Sequence, residues 1–362
     1  MSFLRALLSS ARLARRSPQR AAHAVAAPSP GDRAAFGDDL LLDAPDDRIA
    51  PALVAAAHGS YTPASELLAA TRERAEWEDR DRYTLRLATF AHHRQDWLTD
   101  WLLAAPHNPD ALLVQAELEV SRALDLPAPA DRLRPARPLI DAAASGSPRD
   151  PVPWRIALDH ARGAQAGHDT FEGLWEQAVR RSSHHYGCHV AALKYLAAQG
   201  STYRECFDFA EQAAEEALPG SLIQALPLRA AFALLADGTA APALAVDLAA
   251  RVDKAADLAI ALSAEYDGGD PWAAEMRNVL AYVLAGRERW TEALAEFRQI
   301  GPHATSFPWA SLTDDPLGRF LEIRETARTL AVADPPPAPD RTRPEEARRW
   351  TPGRSRSDGH YA

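Results

Sequence analysis

The chain is poor in cysteine, lysine and long apolar runs. Its 362 residues include two cysteines, Cys188 and Cys206, which cannot make a disulfide framework and suit a reducing, cytoplasmic location. Its only lysines are Lys194 and Lys254, and nearly all basic charge is arginine. Together with abundant alanine, this is the imprint of GC-rich coding, so an arginine here is not by itself a phosphate-recognition signal. No run approaches the roughly 20 apolar residues of a membrane span, which excludes an integral membrane segment. Alternating β-branched runs with hairpin turns are nearly missing, which argues against a sheet. Among enzyme signatures there is no Gly-x-Gly-x-x-Gly, phosphate loop, His-Glu-x-x-His or Gly-x-Ser-x-Gly elbow.

Acids outnumber bases by 50 to 40, for a net charge of −10. An acidic body repels nucleic acid, whose binding rests on phosphate neutralisation, and favours a basic partner. The charge is uneven. Residues 1–31 carry Arg5, Arg12, Arg15, Arg16 and Arg20 and no acid, whereas the tail 334–362 mixes six arginines with five acids around Pro335, Pro336, Pro337 and Pro339. Three parts follow: a loose basic segment 1–31, a folded body 32–333 and a disordered Pro/Arg-rich tail 334–362. Six residues between Arg5 and Arg12 are too few for a secretory signal.

The body reads as helix after helix. Thr62 before Pro63 marks a helix start over 64–77. Tyr83, Leu87, Phe90 and Ala91 share one helical face, and His92-His93 suits a helix end. Pro106-His107-Asn108-Pro109 is a break, and Leu113, Ala116, Val120 and Ala123 restore the period. Pro-rich connections at 126–135 and 145–153 precede helices at about 155–163, 169–181, 187–198, 202–217, 221–236, 242–263, 271–285, 289–300 and 316–331. These lengths and short breaks fit stacked helical hairpins.

The segment Asn278–Phe297 resembles one tetratricopeptide repeat. Leu280 and Ala281 match the Leu-small pair of the repeat's first helix, and Gly286 marks its turn. Trp290, Ala293 and Phe297 match the aromatic, small and aromatic positions of the second, and Pro302 lies near the closing proline. Arg277 stands where the repeat usually has tryptophan. Trp97–Leu102 followed by Pro106–Ala111, and Asp150–Trp154, look like repeat exits and entries. Phe171–Ala214, with Trp175, a His-rich helix start and Phe209-Ala210, resembles a bacterial family of tetratricopeptide-like proteins of unknown function. The resemblance implies an all-α, right-handed stack of antiparallel hairpins, a degenerate α-solenoid, with Ala281 and Ala293 facing each other across the last hairpin. It also implies a non-enzymatic protein–protein interaction scaffold that takes a protein or peptide along a concave face, with no cofactor.

Two clusters could carry other chemistry. On a helix His184 and Cys188, and His185 and His189, are spaced i, i+4, which can bring two ligands to one metal; the further ligands a site needs are not close in sequence. The structural reading is a helix start capped by Ser182 or Ser183, with the histidines at or near the surface. A helical enzyme or metal protein built on this cluster is one alternative to the scaffold. A peripheral membrane adaptor using the basic N-terminal helix is another. Asp38, Asp39, Asp43, Asp46 and Asp47 crowd one loop but lack the glycine and closing glutamate of a calcium loop. The acidic stretch 205–275 offers Glu205, Asp208, Glu211, Glu215, Asp247 and Asp257 as candidates for a basic partner, against a plain solvated face.

Overall fold

In a computed structural model, residues 40–200, 202–237 and 242–333 are described. The basic segment 1–31, Asp38, Asp39 and the tail from Asp334 lie outside them. The described body is all-α. Its helices are α1 Ala50–Ala57, α2 Thr62–Arg74, α3 Trp77–His93, α4 Asp96–Ala104, α5 Pro109–Leu124, α6 Pro129–Arg132, α7 Ala136–Gly146, α8 Val152–Gly163 and α9 His168–Arg181. There follow α10 Tyr186–Ala198, α11 Tyr203–Glu215, a 3₁₀ turn Leu222–Ala225, α12 Leu226–Ala236, α13 Pro242–Ser263, α14 Ala274–Gly286, α15 Trp290–Ile300, α16 Ser306–Trp309 and α17 Pro316–Ala333. No helix among the described residues is long and apolar enough to cross a membrane.

Local chemistry explains the boundaries. Asn108 caps α5 by accepting from the amides of Asp110 and Ala111 at 2.9 and 3.1 Å, with Pro109 as first helical residue. Thr202 and Glu205 form a reciprocal capping box on α11. The expected start of the second helix shifts by one residue: Thr62 is already helical and Tyr61 holds the cap position. That helix ends at Arg74, where Ala75 turns left-handed at φ 55°, and Trp77 opens the next helix instead of closing this one.

Helix α5 joins two cores because it has two apolar stripes. Ala111, Val114 and Leu118 pack with α1–α4, including Trp97 and Trp101. Leu113, Ala116, Val120 and Ala123 belong to the larger core that runs on to α17. Each stripe follows the i, i+3, i+7 spacing of one helix face.

The segment Asn278–Phe297 falls in the hairpin of α14 and α15. Ala281, Ala293 and Phe297 are fully buried, as small and aromatic residues between close helices should be. The left-handed turn residue is Glu288, at φ 59°, rather than Gly286, which ends α14. Arg277 caps the end of a neighbouring helix. It is 1% exposed, and its guanidinium donates to the carbonyls of Ser263, Tyr266 and Asp267 at 2.8 Å, closing the end of α13.

A two-residue parallel strand pair departs from the expectation of no sheet. Leu41 and Leu42 pair with His303 and Ala304, the Leu41 amide donating to Pro302 and the Asp43 amide to Ala304. In a simple stack each repeat touches only its neighbours. Here the start of the described chain is clasped to its far end, and Arg82 lies over the Trp272 ring at 5.2 Å beside that clasp.

Candidate functional site: a charged central cleft

The convergence of α3, α8 and α10 with the 271–276 segment and Phe307 forms a cleft of about 310 Å³. Its walls come from α3 (Glu78, Asp81, Arg82, Leu85), α8 (Arg155, Asp159), α10 (Tyr186, Val190, Lys194), Leu222, Arg229, the 271–276 segment and Phe307. Four acids, Glu78, Asp81, Asp159 and Glu275, therefore share one hollow with four bases, Arg82, Arg155, Lys194 and Arg229, and with apolar surface between them.

Most of these charges hold one another. The Arg155 guanidinium donates to Asp81 at 2.8 Å and to Glu117 at 2.6 Å, and all three side chains are buried. Burial works against the Arg155 charge, but Asp81, Glu117 and Asp159 outweigh it and strengthen its hold on the proton. Arg229 donates to the Tyr186 hydroxyl at 2.7 Å, pairs with Glu275 and lies over the Phe307 ring at 4.8 Å. Arg82 pairs with Asp46 and Asp79 at the rim. Glu78 accepts from the Tyr186 amide at 2.8 Å, and burial pushes its carboxyl upward.

Lys194 is different. Its side chain is exposed to the cleft and, among the described residues, makes no hydrogen bond or ion pair. Burial within the cleft walls lowers its pKa, Asp159 opposes that, and Arg229, Arg162 and Arg155 add to it. Burial likewise disfavours the Asp159 carboxylate, but Lys194, Arg155 and Arg162 overcome it and hold Asp159 below its usual range.

Two histidines of the cluster are buried rather than at or near the surface as expected, while His184 is half-buried. His185 is fully buried and His189 is 4% exposed. His185, not Ser182 or Ser183, caps α10: its Nδ1 accepts from the Cys188 amide at 3.2 Å. Its Nε2 lies 3.3 Å from the Trp77 carbonyl and 3.9 Å from Asp81. Burial disfavours the His185 cation, yet Cys188, Glu78 and Asp81 raise its pKa well above the ordinary value. His189 Nδ1 bonds the His185 carbonyl at 2.9 Å, and its ring stands between Trp175 and Phe209. Both cysteines are buried thiols. Among the described residues no three His, Cys, Asp or Glu side chains are grouped to hold a metal.

Gly187 is needed for this geometry. Its Cα faces the Asp81 carboxylate so closely that a Cβ would collide with it, which lets α10 lie directly on α3.

The six acids proposed from sequence are elsewhere, and none of them lines the cleft. Arg251 pairs with both Asp208 and Glu211 at 2.8 Å, Arg204 pairs with Asp247, and Arg289 holds Asp257 at 2.6 Å. Glu205 belongs to the α11 capping box, and Glu215 is exposed. Asp46 on the N-terminal loop accepts from Arg82. The cleft residues themselves carry no short motif; they come together from segments between 78 and 307, and Lys194 stands out in sequence only by its rarity.

The chain matches no protein-family model, no curated protein and no solved structure.

Proposed function

We propose that the protein is a non-enzymatic binding scaffold of tetratricopeptide-like type, and that it takes a protein or peptide segment in the central cleft. The single observation that carries this reading is the cleft itself. It is a preformed hollow in which paired charges alternate with apolar walls, as recognition sites are commonly built. Its arginines are committed to internal pairs that shape the walls. Pairing of the outer acids with Arg204, Arg251 and Arg289 supports the cleft, rather than that face, as the place where a partner is read.

The test uses a site that can be filled without touching the core. Leu85 lines the cleft and is 40% exposed, so Leu85→Trp narrows the cavity at little cost in stability. A displayed peptide library should enrich sequences on the wild type and lose them on Leu85→Trp. Equal enrichment on both proteins, or none on the wild type, would remove the cleft from the account.

A further inference from the structure

Lys194 shares the cleft with Asp159, Arg155 and Arg229, and Arg162 lies one turn from Asp159 on α8. Arg155 and Arg229 are already engaged by Asp81, Glu117, Glu275 and the Tyr186 hydroxyl, and Arg162 by Asp159 at 3.3 Å. Lys194 is thus an unpaired ammonium in a cavity whose other charges hold one another. Its three N–H donors have no protein acceptor among the described residues. A cation in a partly dry cavity gains most from a ligand that brings a fixed negative charge.

Two further features narrow the ligand. Among the described residues that line the cleft, Lys194 is the one cation without an ion pair, and Asp159 lines the same cavity, so a dianion such as phosphate would set its second charge against a carboxylate. A single negative charge fits. Leu85, Val190, Leu222 and Met276 supply apolar wall, and a cavity of about 310 Å³ is at the small end of ligand sites. Lysine is also uncommon in this chain, which uses arginine almost everywhere else. A compact ammonium on a flexible stem can approach a small acid in a space where the planar guanidinium fork is harder to fit.

We propose that the cleft binds an organic monocarboxylate with an apolar body, the carboxylate on the Lys194 ammonium and the body against Leu85, Val190, Leu222 and Met276. The proposal rests on the cleft being a binding site, as inferred above, and names the chemistry that it reads. A free acid and the C-terminus of an apolar peptide share this chemistry.

Two lysines make the test direct. Reductive ¹³C-methylation of the full chain gives side-chain signals from Lys194 and Lys254 alone, beside the α-amino signal. The probes are hexanoate, hexan-1-ol, and an apolar pentapeptide with either a free or an amidated C-terminus. The Lys194 signal should move with at least one acid while the Lys254 signal stays. In unlabelled protein, Lys194→Met should weaken that acid by about tenfold or more, and Lys194→Arg, which keeps the charge on a bulkier group, should recover only part of the loss. Circular dichroism of Lys194→Met should match the wild type, since the side chain is exposed. Hexanoate binding assigns the free acid; binding of the free-terminus peptide alone assigns the peptide.

Hexan-1-ol or the amidated peptide binding as tightly as the acids would overturn the proposal. So would unchanged acid binding by Lys194→Met, or a Lys194 signal that moves with neither acid. If library selection still succeeds and is lost on Leu85→Trp while these probes fail, the carboxylate assignment falls and the cleft reading stands.

Discussion

Arg80 on α3 and Asp150 ahead of α8 are seventy residues apart, yet their side chains meet at 2.5 Å with almost no exposure. Arg80 also donates to Asp110 at 2.7 Å and to the Leu68 carbonyl at 2.8 Å. Asp150 in turn accepts from the Val152 amide at 2.8 Å, at the start of α8. One guanidinium therefore ties α2, α3, α5 and α8 together beneath the cleft.

Removing that guanidinium strands buried carboxylates. Arg80→Met should cost about 3–5 kcal/mol in urea unfolding, the usual penalty for orphaning a buried ion pair. Asp150→Asn should cost clearly less, because it retains an acceptor for Val152 and leaves Arg80 with Asp110. Equal losses would mean that the pair does not work as described.

Ala281 and Ala293 are both fully buried in the α14–α15 hairpin. Ala293→Arg should lower stability by about 3 kcal/mol or more, through overpacking and an unpaired buried charge. Thermal unfolding checks this; an unchanged Tm would show that the alanine does not lie between the helices.

Gly187→Ala should destabilise by about 1–3 kcal/mol, although alanine favours helix. The added methyl meets the Asp81 carboxylate, which Arg155 holds in place. Chemical denaturation would report the loss, and a gain in stability would contradict the close approach of α10 to α3.

His189 gives a pH signature of definite sign. Burial depresses its pKa to about 4, from 6.5, with the His185 carbonyl and Glu216 opposing the shift and repulsion from His184 and His185 adding to it. The unfolded chain therefore takes up this proton first as the solution is acidified. The stability from keeping His189 neutral is complete above about pH 6.5 and is lost as pH falls to about 4. His185 contributes the opposite way: its raised pKa gives stability below its ordinary value that is lost at higher pH. His189→Phe should remove the first effect, so its stability difference from wild type should change by up to about 3 kcal/mol between pH 6.5 and 4. Parallel curves for the two proteins would exclude the assignment.

Helices were legible wherever one apolar stripe faced one core, as with Tyr83, Leu87 and Ala91 or with the α14–α15 pair. The cleft was not legible, because its charges come from α3, α8, α10 and segments beyond, which no local spacing connects. The histidine cluster misled for a related reason. Its i, i+4 pattern is real, but His185 spends its ring nitrogen on the Cys188 amide and its burial comes from α3, more than a hundred residues earlier. The Thr202-x-x-Glu205 signature was readable as a capping box and identifies Glu205 as a helix-start residue. The clasp left no trace in the pattern, since two residues per strand are too short for an alternation signal.

A ribosome delivers Leu41 long before His303. The α3 wall of the cleft exists early, but the 271–276 wall and Phe307 arrive near the end of the folded body, and only then can the clasp form. Such distant contacts are the slow ones, because the chain between them must be ordered first. Until those residues are made, the hollow that Lys194 and Arg155 line lacks these two walls. Closure of the cleft is therefore a property of the finished chain, since its last walls are the last to be synthesised.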